Sequence, residues 1–190
     1  MRHVLFILGC LAATATAPAT KAGASEQIWS ALRAGGVHVL MRHERAPGTG
    51  DPATFRLGDC ATQRNLDAAG REGARRTGAR LTAEGVKVAL VLTSQWCRCR
   101  ETARLLGHGT AIDAPYLNSF FGDRSTRNVQ TAALRARVAK TIPGGVAVLV
   151  THQVNITALT GIFPRQGEIL VLRPSPGTEK GFVLVGRLKP

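Results

Sequence analysis

Three predominantly apolar segments do most to constrain the fold of this chain. They span residues 37–41, 86–92 and 146–150, and stretches with apolar positions at helical spacing lie between them. Short apolar runs bounded by turn residues predict buried strands, and strands that alternate with helices predict a mostly parallel sheet. The sequence therefore predicts an α/β fold.

Helices and later strands complete this prediction. Asp67 is the predicted N-cap of a helix extending to about residue 84, because an Asp side chain can accept a hydrogen bond from the first turn. The other predicted helices span residues 26–34, 94–106, 125–140 and 155–160, and the other predicted strands span residues 111–114, 168–172 and 182–188. No repeat or linker interrupts the pattern, so we expect a single domain over residues 25–190.

The first 24 residues have the pattern of a signal peptide. Arg2 and His3 precede an apolar run, small residues follow, and Ala22-Gly23-Ala24 fits a cleavage site of the A-x-A type. The run is shorter than the roughly 20 residues needed to cross a membrane. We therefore expect cleavage near Ala24, no membrane span, and a periplasmic or secreted mature protein.

A strong positive charge restricts the partners only weakly. The net charge is +13, and it becomes +11 without residues 1–24, which hold two basic and no acidic residues. Such an excess attracts anions of any kind. The chain has no basic tail, aromatic stacking platform or recognisable nucleic-acid motif, so nucleic acid is not the expected partner.

Three cysteines remain after the predicted cleavage, at Cys60, Cys97 and Cys99. In an oxidising compartment one pair is expected to form a disulfide. Cys97 and Cys99 are too close in sequence for an easy mutual bond, so Cys60 is expected to pair with one of them. Metal binding is the weaker interpretation because no CxxC or HxH spacing accompanies these cysteines.

Arginines and histidines follow the predicted strands. Arg42 and His43 follow the first segment, Arg98 lies shortly after the second, and His152 follows the third. The carboxyl ends of parallel strands meet at one edge of a sheet, where ligands bind. A neutral imidazole can attack phosphorus, and one guanidinium group can bind two phosphoryl oxygens at once. These residues predict a site for phosphoryl transfer.

The same residues give the chain its resemblance to the histidine phosphatase superfamily, which shares its fold with phosphoglycerate mutases. Arg42-His43 resembles the family's Arg-His-Gly signature, and Thr151-His152 resembles its second histidine motif. A further pattern is met at Ser94, Arg98, Thr102 and Ala103, and residues 65–70 resemble the family's Leu-Thr-x-x-Gly helix start. The motifs occur in order over residues 37–161.

This resemblance implies a three-layer α/β/α sandwich and a covalent mechanism without metal or cofactor. His43 takes the place of the phosphorylated nucleophile, while Arg42, Arg98 and His152 bind the phosphoryl oxygens. Glu44 stands where the family usually has glycine or alanine. The family's usual proton-donating acid has no counterpart, so Asp123 is the candidate acid and Glu44 the fallback.

We therefore expect an exported phosphatase acting on a small phosphorylated substrate through a phosphohistidine intermediate. The Arg-His-Glu-Arg stretch of residues 42–45 and the signal peptide are similar to envelope phosphatases proposed to act on lipopolysaccharide heptose phosphate. This resemblance implies envelope sugar phosphates as candidate substrates. Two alternatives are a protein phosphohistidine phosphatase, which tolerates the missing acid, and a non-catalytic binder of phosphorylated ligands. The long loop over residues 45–64 is a candidate specificity element, since loops of this length are often functional.

Overall fold

The computed structural model describes residues 21–189, and residues 1–20 of the predicted signal peptide lie outside this range. The predicted elements are present, with ends that differ by a few residues. The helices are α1 (Lys21–Ala34), α2 (Ala68–Ala83), α3 (Cys97–Leu105), α4 (Arg127–Val138) and α5 (Gln153–Thr160). The strands are β1 (His38–Arg42), β2 (Val88–Thr93), β3 (Ile112–Asp113), β4 (Val146–Thr151), β5 (Ile169–Pro174) and β6 (Phe182–Leu188).

The six strands form one sheet in the order β3-β2-β4-β1-β5-β6. Strands β1 to β4 run parallel, while β5 is antiparallel to β1, and β6 is antiparallel to β5. In the pairing of β1 with β4, Arg42 lies opposite Thr151. This register brings the residues that follow the two strands, His43 and His152, to the same edge of the sheet.

Helices cover both faces of the sheet, because successive side chains of a strand point to opposite sides. Val39 and Met41 pack in one core with residues of α1, α2 and α3. Leu40, between them, packs in the other core with residues of α4 and α5. The predicted three-layer α/β/α architecture with a mostly parallel sheet is thus confirmed.

Glycines of α2 allow this helix to approach its neighbours closely. A Cβ added at Gly70 would lie 2.1 Å from the Arg45 carbonyl oxygen, and one at Gly78 would lie 2.0 Å from that of Leu106. The N-cap prediction is confirmed, since the Asp67 carboxylate accepts from the Gly70 N–H at 2.8 Å. Helix α2 is therefore held against the loop that follows β1 and against the end of α3.

The loop over residues 45–64 contains a single 3-10 turn, Cys60–Thr62, and is tied to α3 by a disulfide between Cys60 and Cys97. Cys99 is a buried free thiol. Helix α3 begins at Cys97, three residues later than predicted, because residues 94–96 form the turn leaving β2. Within residues 21–189, no helix is long and apolar enough to cross a membrane.

Candidate active site

His43 presents one defined nitrogen to the site at the carboxyl end of β1. Its Nδ1 lies 2.8 Å from the Glu44 carbonyl oxygen, which can only accept, so Nδ1 carries the proton and Nε2 carries the lone pair. Burial, followed by the charge of Arg98, lowers the pKa of His43 well below its ordinary value. The imidazole is consequently neutral near pH 7 and has the tautomer that a nucleophile needs.

Backbone hydrogen bonds fix the position of His43. Its N–H donates to the Thr151 carbonyl of the neighbouring strand at 2.9 Å. The next N–H, that of Glu44, donates to the Thr102 hydroxyl at 3.1 Å. Thr102 belongs to the pattern formed by Ser94, Arg98, Thr102 and Ala103, and its hydroxyl anchors the turn that carries His43.

His152 follows β4, and its ring centroid lies 5.4 Å from that of His43. A guanidinium nitrogen of Arg98 is 3.5 Å from Nδ1, and the Ser94 hydroxyl is 2.8 Å from Nε2. Since a guanidinium only donates, Nδ1 is the acceptor and Nε2 donates to Ser94. Burial and the charge of Arg98 lower the pKa of His152 well below its ordinary value.

Three guanidinium groups surround the two histidines. Arg42, Arg64 and Arg98 line one cavity with His43 and His152, and Arg98 is only 3% exposed. Burial, then the charges of Arg64 and Arg98, lowers the pKa of Arg42. The Nε atoms of Arg42 and Arg98 are buried and have no hydrogen-bond partner. Buried donors without acceptors in a concentration of positive charge define a binding site for an anion.

Asp51 is the main site residue that sequence reasoning missed. Its carboxylate accepts from both terminal nitrogens of Arg98, at 2.7 and 3.1 Å, and from the Trp96 indole N–H at 2.9 Å. Burial would raise the pKa of Asp51, but the hydrogen bonds and charge of Arg98 hold it below its ordinary value. Asp51 therefore occupies the part of Arg98 that could bind two phosphoryl oxygens.

Arg64 and Asn118 were also missed. Arg64 donates to the carbonyls of Gly50, at 2.9 Å, and Ala46, so it shapes the loop that carries Asp51. Asn118 accepts from the Gln95 N–H at 2.8 Å and from the Ser94 hydroxyl at 3.2 Å. Arg64 directly precedes residues 65–70, which resemble the family's helix start. This position was the one sequence signal that could have pointed to Arg64 as a site residue.

The two candidate proton donors lie in unfavourable places. Asp123 lines the cavity, but its carboxylate is exposed and accepts from the N–H and hydroxyl of Ser125, which lowers its pKa. Glu44 is buried against α2, where Thr77 lies 3.4 Å away, and it does not line the cavity. The fallback role of Glu44 therefore stays a prediction that its position does not favour. A proton-donating role for Asp123 stays a prediction that the geometry does not favour.

The remaining singled-out residues have structural surroundings. The His38 Nε2 donates to the Lys140 carbonyl at 2.9 Å, and Arg100 pairs with Asp113 at the surface. His108 bonds to the Gly78 carbonyl at 3.0 Å. None of the three lines the cavity of about 910 Å³ that is lined by His43 and His152.

Comparison with known proteins agrees with this fold. The family model of the histidine phosphatase superfamily (branch 1) matches residues 39–120. The protein histidine phosphatase SixA, solved with tungstate, has a TM-score of 0.55 and 19% identity, covering 80% of this chain and 96% of that chain. No curated protein sequence matches this chain.

Two further solved structures share the fold. Phosphoserine phosphatase from Entamoeba histolytica, in complex with 3-phosphoglyceric acid, has a TM-score of 0.54 and 13% identity, covering 81% of this chain and 97% of that chain. A mycobacterial glucosyl-3-phosphoglycerate phosphatase has a TM-score of 0.50 and 17% identity, covering 72% and 89%. The family model matches less than half of this chain, and the solved structures, all below 20% identity, show that the chain shares their fold.

Proposed function

We propose that this chain is an exported enzyme that hydrolyses phosphomonoesters through a phosphohistidine formed on His43. One observation carries the proposal: the bond from Nδ1 to the Glu44 carbonyl leaves the Nε2 lone pair free, in a cavity lined by three guanidinium groups. A neutral imidazole fixed in one tautomer is suited to nucleophilic attack. Positive charge fixed around the phosphoryl oxygens stabilises the transition state.

The reaction has two displacements. In the first, the Nε2 lone pair of His43 forms a bond to phosphorus, the ester P–O bond breaks, and the departing oxygen takes a proton from solvent water. In the second, water attacks the phosphohistidine, loses a proton and releases inorganic phosphate while the P–N bond breaks. Arg42 and Arg98 hold the phosphoryl oxygens in both steps. The Asp51 carboxylate is displaced from Arg98 when the phosphoryl group binds. His152 accepts from Arg98 in the free site. The negative charge of a bound phosphoryl group favours protonation of His152, which then donates to a phosphoryl oxygen.

The carboxylates of the cavity decide which leaving groups are favoured. Among the described residues that line it, Asp51 and Asp123 are the two acids, and both have a lowered pKa. Neither is poised to donate a proton near neutral pH. This favours substrates whose leaving group departs without strong acid catalysis.

A protein phosphohistidine phosphatase is the second candidate for the same reason. The leaving group of a phosphohistidine is an imidazole, which departs easily from phosphorus. Solved structures with the same fold include a protein histidine phosphatase. Against it stands the predicted export, because the phosphorelay proteins that carry phosphohistidine are cytosolic.

Export remains part of the proposal, and envelope sugar phosphates remain one candidate substrate class that the sugar phosphate in the assay below tests. Its supports are the signal-peptide pattern of residues 1–24 and the disulfide between Cys60 and Cys97, since disulfides persist in oxidising compartments. Fractionation of cells that express the full chain, with N-terminal sequencing of the mature protein, tests export. A mature chain beginning near residue 25 outside the cytoplasm supports it, and an intact cytoplasmic chain contradicts it.

Phosphate release by the purified protein tests the activity. The substrates are phenyl phosphate, a sugar phosphate and a phosphohistidine peptide, assayed with the wild type and His43→Asn. We expect the variant to lose at least about a thousandfold in kcat, because the nucleophile is gone. His108→Asn is the matched control, since it changes a histidine outside the cavity.

Covalent trapping separates the mechanisms. Brief mixing with ³²P-labelled substrate followed by alkaline quenching should give an acid-labile, base-stable label on wild type and none on His43→Asn. Binding of phosphate without turnover of any substrate would point to the non-catalytic binder. Turnover that survives in His43→Asn would show that the assignment of the nucleophile is wrong.

A further inference from the structure

The outer part of the active-site cavity is lined by apolar side chains. Phe55, Leu57, Trp96, Phe121 and Phe163 line it, and we call these five residues the apolar rim. They come from four segments that are distant in sequence: the loop over residues 45–64, the turn before α3, the connection from β3 to α4, and the connection from α5 to β5. The fold therefore gathers them at the mouth of the site.

The rim contains much of the large apolar surface that residues 21–189 expose. Of seven exposed large apolar side chains in this range, three belong to the rim: Leu57 at 47%, Phe121 at 52% and Phe163 at 69%. Grouped apolar exposure beside a functional site is typical of ligand binding, whereas single exposed apolar residues are ordinary.

Aromatic packing joins the rim to the catalytic groups. Phe55 stacks on Trp96 with a centroid separation of 5.0 Å, and Trp96 meets His152 edge-on at 5.5 Å. The same Trp96 donates to Asp51, the partner of Arg98. A group bound against the rim would thus lie next to a phosphoryl group held by the arginines.

The distribution of charge in the cavity limits what this group can be. The cations among its lining residues are Arg42, Arg64 and Arg98, and all three act on the pKa of His43, so they surround the nucleophile. The outer part offers the carboxylate of Asp123 and no cation. The lining of the outer part thus offers no direct cationic partner for a second phosphate or carboxylate on the substrate.

The size of the cavity indicates that this group is substantial. A volume of about 910 Å³ is at the upper end of the range for sites that bury ligands of drug size. The phosphoryl group fills only the part beside His43 and the arginines. The rest of the volume is continuous with the rim.

We propose that the physiological substrate is an amphiphilic phosphomonoester, with an uncharged apolar group next to the phosphate that packs on the apolar rim. The inference rests on the proposed phosphatase activity and adds the class of leaving group. The substrate's phosphoryl group lies with the arginines, and its apolar group removes Phe121 and Phe163 from water. Small substrates with a second acidic group are disfavoured.

A series of 4-alkylphenyl phosphates tests this inference on the wild-type protein. From phenyl to 4-pentylphenyl the leaving oxygen stays a similar phenol, so the chemical step changes little while apolar surface grows. We expect kcat/KM to rise about two- to fourfold per methylene, where fourfold corresponds to the ~0.8 kcal/mol of a fully buried methylene. Release from phenyl phosphate with no rise along the series would overturn the inference. No release from any member would overturn the proposed function instead.

Rim variants locate the effect. In the double variant that combines Phe121→Ala and Phe163→Ala, we expect kcat/KM to depend less on the length of the alkyl chain. The values for each protein are normalised to its own value for phenyl phosphate. Val129→Ala is the control, because Val129 is 67% exposed on α4 and lies outside the cavity. A slope that persists in the rim double variant, or a wild-type dimer that closes the mouth, would overturn the inference.

Discussion

The pairing of Asp51 with Arg98 leads to a prediction in which stability and ligand binding change in opposite directions. Asp51→Asn keeps the size of the side chain but removes the charge that faces a guanidinium only 3% exposed. The Asn side chain can still accept one hydrogen bond, yet its NH₂ group would face the donors of Arg98 and Trp96. The variant therefore leaves a buried cation without its partner.

The expected loss of stability follows from this burial. Removing one partner of a fully buried ion pair costs about 3–5 kcal/mol. The Asp51 side chain is 16% exposed, so we expect the free energy of unfolding to fall by about 2–4 kcal/mol. In a domain of this size that corresponds to a Tm lower by roughly 5–15 °C.

Phosphate binding should become tighter in the same variant. In the wild type, both terminal nitrogens of Arg98 donate to Asp51, so a phosphoryl group must displace the carboxylate. Without this competitor, we expect the Kd for inorganic phosphate to fall by about tenfold, the equivalent of one charge-assisted hydrogen bond. The phosphate-induced rise in Tm should be larger in Asp51→Asn than in the wild type.

Thermal unfolding at a series of phosphate concentrations measures both effects, with calorimetric titration for Kd. Asp59→Asn is the matched control, since Asp59 lies in the same loop but pairs with Arg56 at the surface and should change stability by less than about 1 kcal/mol. If Asp51→Asn bound phosphate more weakly, Asp51 would be a positioning residue for Arg98 and the competition argument would be refuted. An unchanged Tm would refute the argument from burial.

Three further predictions concern pH, the disulfide and the proton donor. Burial lowers the pKa of His38 to about 4, so below pH 6.5 the unfolded chain binds a proton that the folded chain does not. The free energy of unfolding therefore decreases as the pH is lowered, by about 3 kcal/mol at pH 4 from this residue alone. An NMR titration of His38 near 6.5 would contradict this. Cys60→Ser should cost about 4 kcal/mol of stability, because the disulfide links residues 37 positions apart, and reductant should then have no further effect. An unchanged Tm in Cys60→Ser would argue against the bond. Asp123→Asn should change kcat on phenyl phosphate less than about threefold, since the carboxylate is exposed and ionised; a tenfold loss with a shifted pH profile would restore Asp123 as the acid.

The core of the site could be predicted because it depends on periodic elements. Buried parallel strands place their carboxyl ends at one edge, so the apolar runs before His43 and His152 were enough to bring these residues together. The position of Arg98 followed from a motif at the start of a helix. The pairing of Cys60 remained open between two cysteines, because both lie near the start of α3, and only the packed structure selects Cys97.

The surroundings of the site depend on a loop without periodicity. Asp51 contacts Arg98 across 47 residues of sequence, and nothing in the spacing of the loop indicates which of its side chains turns inward. For the same reason Asp123 could be proposed as an acid from its sequence position alone. Its orientation toward Ser125 is a local choice of the 3-10 turn that it caps.

The sequence by itself determined the α/β class and the strands that carry the histidines, because burial and periodicity are encoded locally. The prediction of phosphoryl chemistry came from the arginines and histidines that follow these strands. Only the tertiary structure decided that Asp51 occupies Arg98, that Arg64 joins the site, and that Phe121 and Phe163 meet at one mouth. These contacts join segments far apart in the chain, and their geometry is set by the packing of the whole domain.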